Sequence, residues 1–257
     1  MTYQYYMYQR LRIISLDIHN VTFKESLDQI SEWGLNNLSK FVCFANVHMI
    51  IEAHTEPSFR EVLSKASLIL ADGKPVATAC RWLYGNKQQR ISGMDFMPAI
   101  LERANILHAK IFLYGSTEAV LDKLAQRIAF VYPNVKIAGK ISPPFRSLSQ
   151  EERELHIHQI NASGANFVLV ALGCPKQEKW MAENSPYING TLLGLGGAFP
   201  VIAGLQKRSP KWMQDFALEW FYRFLQEPKR MFRRYMYTNL HFIWLFGREL
   251  IKKKVKI

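Results

Sequence analysis

Short apolar runs alternate with helical patterns along nearly the whole chain, and this alternation limits the fold more than any other feature of its 257 residues. Residues 12–18, 41–45, 68–71, 110–114, 135–138, 167–171 and 191–195 read as strands. Between them lie helical segments such as 23–33, introduced by the capping-box pattern Thr22-Phe23-Lys24-Glu25, and 119–130. Strand, helix, strand repeated in this way predicts an α/β fold: a mostly parallel sheet with helices on both faces. Ligands of such sheets sit outside the carboxyl ends of the strands, so the loops that follow these runs are expected to carry the site. No internal repeat or low-complexity linker interrupts the pattern.

The organisation changes near Gly204. From there the chain reads Lys207-Arg208-Ser209-Pro210 and then a long aromatic and basic stretch, in which Pro210 fits the first turn of a helix and Glu227-Pro228 breaks or restarts it. We expect a catalytic-size α/β domain over 1–204 and a helical appendage over 205–257. The formal charge of +12 is uneven: residues 205–257 hold 13 Lys+Arg against 4 Asp+Glu, a local +9. A partner for that charge is expected to meet the tail.

Hydrophobic residues make up 49% of the chain, enough for a full core and against disorder. The tyrosine-rich run at 1–10 has no apolar signal core, and no later stretch supplies about 20 unbroken apolar residues, so the chain is expected to stay in the cytosol. Cys43, Cys80 and Cys174 are too few and too scattered for a disulfide framework or a zinc site and read as reduced packing thiols.

Asp72 ends the apolar run Leu68-Ile69-Leu70-Ala71 and stands on a glycine turn, Asp72-Gly73. A strand-end carboxylate facing the crevice suits a general base, while the same dipeptide also suits the N-cap of a helix beginning near Lys74. Asn46 and His48 follow the run 41–45 and open onto the same sheet edge. Asn46 is a hydrogen-bonding partner for a sugar hydroxyl or a helix cap, and His48 a second acid or base or a structural histidine.

Gly173-Cys174-Pro175-Lys176-Gln177-Glu178-Lys179 forms a strand-to-helix turn after 167–171, where free helix N–H groups with Lys176 alongside make an anion site or simply a solvated βα turn. Ser116, after Tyr114-Gly115, is placed to hold a phosphate or ribose hydroxyl or to cap a helix. Gly196, within Gly194-Leu195-Gly196-Gly197-Ala198-Phe199, lets backbone approach a ligand or pack tightly. Phe199 stands where a dinucleotide fingerprint needs its third glycine or alanine. Arg90, in Arg90-Ile91-Ser92-Gly93-Met94-Asp95, offers two parallel donors to a phosphate. No Asp-x-Asp occurs and the histidines lack ligand spacing, so no metal and no cofactor are expected.

The tail interleaves aromatics (Trp212, Phe216, Trp220, Phe221, Tyr237, Phe242, Trp244) with Arg223, Lys229, Arg230, Arg233 and Arg234. That mixture suits the headgroup layer of an anionic membrane, and the apolar stretch 235–246 is too short to span one. Packing against the core or another subunit, and stacking on nucleic-acid bases, are the competing explanations.

Read in order, Phe44-Ala45-Asn46, Ala71-Asp72-Gly73, Arg90-x-x-Gly93-x-Asp95, Gly173-x-Pro175-Lys176-Gln177-Glu178 and Gly194-x-Gly196-Gly197-Ala198-Phe199 resemble the WecG/TagA/CpsF glycosyltransferases, glycosyltransferase family 26. Glu219-Trp220-Phe221-Tyr222-Arg223-Phe224-Leu225-Gln226-Glu227-Pro228-x-Arg230 continues the resemblance.

The resemblance implies a Rossmann-like fold of the GT-E type with a membrane-targeting appendage. It also implies an inverting, metal-independent transfer from a UDP-sugar to a polyprenyl-diphosphate-linked saccharide on the cytoplasmic membrane face, and self-association into a homo-oligomer with no nucleic-acid partner. By it Asp72 is the base, Asn46 and Gln177 are polar site residues, and Arg90 is a site arginine. Arg223, Arg230 and Arg233 would close over the site and meet a diphosphate.

Phe44 stands where teichoic-acid members carry threonine, so the sequence resembles more closely the GumM-like exopolysaccharide branch. A hexose donor such as UDP-glucose is therefore expected, with N-acetylmannosamine or N-acetylmannosaminuronate as the alternative. A non-catalytic nucleotide-sugar or nucleic-acid binding module is the reading from another class.

Overall fold

The computed structural model describes residues 8–226 and 228–255, except for the side chains of 223, 229–235, 254 and 255. The chain opens with a hairpin, β1 (Arg10–Ile13) and β2 (Leu16–His19), followed by α1 (Phe23–Leu35), β3 (Lys40–Ala45), α2 (Val47–Thr55), α3 (Pro57–Ser64), β4 (Leu68–Ala71), α4 (Lys74–Tyr84) and α5 (Gly93–Ile106). Next come β5 (Lys110–Gly115), α6 (Glu118–Val131), β6 (Lys136–Ile141), α7 (Gln150–Ser163), β7 (Phe167–Ala171), α8 (Lys176–Asn184), β8 (Thr191–Gly194) and the short α9 (Phe199–Ile202). Three helices finish the chain: α10 (Lys211–Asp215), α11 (Glu219–Gln226) and α12 (Pro228–Val255).

Six strands form one sheet in the order β4-β3-β8-β7-β5-β6, every neighbouring pair parallel. Strands β4, β7 and β8 are buried along their whole length, and β3 and β5 in all but the first residue, which is why they read as nearly unbroken apolar runs. The edge strand β6 is only partly covered, with exposed Lys136 and Lys140. One core, on the face of α2, α3, α4 and α8, gathers Ile50, Phe59, Val76 and Met181. The other, on the face of α1, α5 and α6, gathers Ile30, Phe96, Ile100 and Leu124. The capping box starts α1 as expected, Thr22 accepting from the Glu25 N–H while Glu25 accepts from the Thr22 N–H.

The run 12–18 is a correction. It is the hairpin β1–β2, turning at Ile14-Ser15 with Ile14 in a left-handed conformation, φ 59. Its role explains the departure: His19 Nδ1 accepts the Ile69 N–H at 2.9 Å, closing the exposed edge of β4. Burial and the nearby Arg10 charge push the pKa of His19 down to about 4, so it is held as a neutral acceptor.

The C-terminal helices pack back on the sheet domain. Phe242 of α12 is buried, with Leu245, Phe246 and Leu250 beside it against the first core, and the Glu249 carboxylate accepts the Ile14 N–H at 3.1 Å. Met236, Tyr237, Leu240, Ile243, Trp244 and Ile251 are exposed on the same helix. Packing thus accounts for one stripe of α12 and leaves a second apolar stripe uncovered. No helix among the described residues is long and apolar enough to cross a membrane.

Candidate active site

The parallel register brings the expected loops to one end of the sheet. Ala45 pairs with Ala71 and the Asp72 N–H donates to Ala45 O at 2.9 Å, so Asn46 and Asp72 leave adjacent strands side by side. The cap of α4 is Gly73, at φ 90, and it makes no side-chain cap hydrogen bond. Capping is therefore not the position Asp72 holds. The half-buried carboxylate stands one residue before the cap, at the strand end itself.

Asn46 does cap a helix: its side chain accepts from the Met49 N–H at 3.2 Å. His48 lies in the first turn of α2, only 11% exposed, with Nδ1 3.6 Å from Glu52 Oε1, which ties it along its own helix.

On the next strands inward, Gln177 links two loops. Its Oε1 accepts the Gly196 N–H at 3.2 Å, and its Nε2 donates to Glu178 Oε1 at 2.9 Å. The glycines beside it are required by this approach. A Cβ at Gly194 would fall 2.5 Å from Gln177 Nε2, and one at Gly196 would fall 2.9 Å from Gln177 Oε1. Gln177 is buried, so its amide positions the glycine loop. Glu178 is buried too, and burial raises its pKa above the ordinary glutamate value against the hydrogen bond from Gln177. Lys176 is exposed at the first residue of α8.

Ser116 sits apart. It adopts φ 62, its N–H donates to Ala171 O at 2.7 Å, and Thr117 rather than Ser116 caps α6. From β4 to β5 is four strand spacings of about 4.8 Å, roughly 19 Å across the sheet end, so Ser116 and Asp72 do not share one reaction centre.

Arg90 enters from the α4–α5 loop. The Ile91 N–H donates to Ala71 O at 2.8 Å, which holds this loop against the strand that ends at Asp72. The guanidinium is ion-paired with Asp95 at 2.7 Å and with Glu219 of α11 at 2.9 Å. Asp95 also takes Arg208 at 2.5 Å and Ser92 Oγ at 3.1 Å. Burial opposes ionisation of Asp95, but the Arg208 hydrogen bond with the charges of Arg208 and Arg90 outweighs it and lowers the pKa.

Sequence reasoning quoted Asp95 only as part of a motif and missed Arg208 and the role of Glu219. The sequence reads 90–95 as a loop, whereas α5 begins at Gly93 with Ser92 capping the Asp95 N–H, and nothing local announces a partner in α11. The side chains of Arg223, Arg230 and Arg233 lie outside the described residues. Among the described residues, no three His, Cys, Asp or Glu side chains gather as metal ligands do.

Phe44 corrects a different expectation. Its ring is buried at 4% exposure and lies 5.2 Å from that of Phe96, centroid to centroid, so it is a core residue of the second face. A phenylalanine committed to packing gives little reason to read a hexose donor from it.

The sequence profile described as the Glycosyl transferase WecG/TagA/CpsF family matches residues 11–256. Among curated proteins, the chain is similar to N-acetylglucosaminyldiphosphoundecaprenol N-acetyl-beta-D-mannosaminyltransferases of Staphylococcus aureus. It is 29% identical over 251 residues to that of strain MW2, covering 96% of this chain and 94% of the relative. The figures for strains NCTC 8325 / PS 47 and MRSA252 are the same. With a family profile spanning nearly the whole chain and a parallel sheet whose strand ends gather the shared motifs, this chain belongs to the WecG/TagA/CpsF family of glycosyltransferases.

Proposed function

We propose that the protein transfers an N-acetylmannosaminyl group from a UDP-linked donor to a polyprenyl-diphosphate-linked N-acetylglucosamine acceptor at an anionic membrane surface. The relatives' names support this sugar and acceptor over the hexose expected from the sequence, and the buried ring of Phe44 removes the argument for that hexose. The single observation that carries the chemistry is the pairing of Asp72 and Asn46 at the ends of neighbouring strands, with Gly73 taking the cap.

In this reading the Asp72 carboxylate removes the proton of the acceptor hydroxyl as its oxygen attacks the anomeric carbon. The bond from that carbon to the UDP phosphate breaks on the opposite face, inverting the centre, and UDP leaves with the bonding pair. Asn46 borders the acceptor side. Gln177 holds the glycine loop in which Gly196 lies, and Lys176 with the N-terminus of α8 attracts phosphate. Arg90, on the loop held against the Asp72 strand, would meet diphosphate charge by exchanging its pairs with Asp95 and Glu219, His48 would stand beside Asn46, and Ser116, roughly 19 Å away, would reach only the far end of the nucleotide. Arg223, Arg230 and Arg233 of the 205–257 appendage would add cations above it. The exposed stripe of α12 lies on the membrane, its rings at the interface and its lysines on acidic lipid.

The test is transfer measured by mass on anionic vesicles carrying polyprenyl-diphosphate-N-acetylglucosamine, with a panel of UDP-sugars and with or without chelator. One product with UDP-N-acetylmannosamine, insensitive to chelator, is expected. Product only with UDP-glucose would reject the proposed sugar. Asp72→Asn is expected to cut turnover by about 10²-fold or more while UDP binding persists.

A further inference from the structure

A cavity of about 50 Å³ lies against β4, between the β1–β2 hairpin and the end of α3. Its buried surface is apolar, formed by Leu16, Leu63, Ala66 and Ile69, with one exception: the ring of His19, only 5% exposed. Because His19 Nδ1 accepts the Ile69 N–H, the neutral ring carries its proton on Nε2. That N–H has no protein partner among the described residues, which leaves a buried donor open to the cavity.

Two arginines stand at the mouth. Arg10 of β1 and Arg60 of α3 are exposed and make no ion pair among the described residues. Arg12 and Asp17 also border the cavity, but they satisfy each other through hydrogen bonds of 3.0 and 3.1 Å. The Ser15 and Ser64 hydroxyls donate to the Ile50 and Glu61 carbonyls, so neither offers its proton to the cavity. What remains is one N–H donor on the buried side and two positive charges on the open side.

That set complements a tetrahedral dianion. We propose that the cavity binds a phosphate group, one oxygen accepting from His19 Nε2–H and others from the guanidiniums of Arg10 and Arg60. A nucleotide or sugar is too large for the space, so the phosphate enters and the rest of its carrier stays outside. Inorganic phosphate or a phosphate monoester carries nearly two charges at neutral pH and matches both arginines, whereas a carboxylate or phosphodiester carries one. None of these residues belongs to the strand-end site, and Ile69 precedes Asp72 by three residues, about 10 Å of extended chain. A bound anion offsets the Arg10 charge that helps to keep His19 neutral, so it should raise the pKa of that ring. A soluble phosphate and the headgroup of an acidic lipid are both sources of the group, because the Ile14 N–H bonds the hairpin to Glu249 of α12, the helix with the exposed apolar stripe.

The experiment follows the His19 ring by NMR in the full chain, its signal assigned by loss in His19→Asn, while inorganic phosphate is added at constant ionic strength with chloride as reference. Phosphate is expected to move the Nε2–H signal and raise the pKa of His19, and chloride to do neither. Arg10→Gln and Arg60→Gln should each weaken phosphate binding about tenfold, and their exposed positions leave the core intact. Arg127→Gln removes the same charge from an exposed position of α6 and should leave binding unchanged.

A His19 signal that phosphate leaves in place, or equal weakening by Arg127→Gln, would overturn the site and leave only diffuse attraction to a basic surface. Dihexanoyl phosphatidylglycerol, a phosphodiester, should bind about tenfold more weakly than dihexanoyl phosphatidic acid, a monoester; equal binding rejects recognition of a dianion. Phosphatidic acid bound about tenfold more tightly than glycerol 3-phosphate supports the proposal with a lipid as the source. Equal binding of those two supports it with a soluble phosphate.

Discussion

Arg90 and Glu219 are 129 positions apart in the chain and 2.9 Å apart in the fold. The pair joins the loop beside Asp72 to the first turn of α11, and through Asp95 the same loop also holds Arg208. The geometry of the C-terminal helices is thereby tied to the strand end where the reaction is proposed.

Glu219→Ala is expected to loosen that tie without unfolding the sheet. Both partners are partly exposed, so the loss in stability is small, on the order of 1 kcal/mol. Hydrogen exchange should show faster exchange in α10 and α11 with β3, β4 and β8 unchanged. Unchanged exchange throughout 205–226 would mean that the pair does not hold these helices.

Gly194→Ala is expected to push Gln177 out of place. The added Cβ would meet Gln177 Nε2 at 2.5 Å and Met181 Cε at 2.9 Å. Overpacking of this kind costs about 1–3 kcal/mol, seen as a fall of several degrees in Tm. Adding Gln177→Ala should recover part of the Tm but not the transfer rate. Full recovery of both would show that Gln177 has no positioning role.

His19 supplies a pH dependence of known sign. Its folded pKa of about 4 lies below the ordinary 6.5, so between these values the unfolded chain binds a proton that the folded chain excludes. This contribution is fully present above pH 6.5 and is lost as pH falls toward 4, by up to roughly 3 kcal/mol. Urea midpoints at pH 7.5 and 5 measure it. His19→Asn should flatten the difference, and an unaltered slope in that variant would move its origin elsewhere.

The two faces of α12 should separate in one pair of variants. Phe242→Ala removes a buried ring and is expected to cost about 3 kcal/mol in stability, with vesicle binding reduced only through unfolding. Leu240→Glu with Ile243→Glu changes exposed positions, leaves Tm nearly unchanged and should abolish flotation with anionic vesicles. Undiminished flotation in the double variant would remove the exposed stripe from membrane binding.

Most of the sheet was legible because parallel strands covered on both faces are buried and so are written as plain apolar runs, as in the terminal Leu68-Ile69-Leu70-Ala71 and the central Phe167-Val168-Leu169-Val170-Ala171. The first strand was not, because the hairpin turns at Ile14-Ser15 without glycine, asparagine or aspartate to mark it, and its left-handed isoleucine is a tertiary choice. Asn46, Asp72, Gln177 and Gly196 could be found as the residues that leave strands. The partners of Arg90 could not: an ion pair closed over 129 residues has no local signature. Phe44 misled for a related reason, since a motif position tells nothing of which side of the backbone its ring faces.

The sealed edge of β4 has a consequence for how copies of this chain can meet. The Ile69 N–H is occupied by His19 on one flank and exposed Lys136 and Lys140 stand along the other, and both features disfavour a strand from a neighbour. Growth by β-augmentation is opposed at both ends of the sheet.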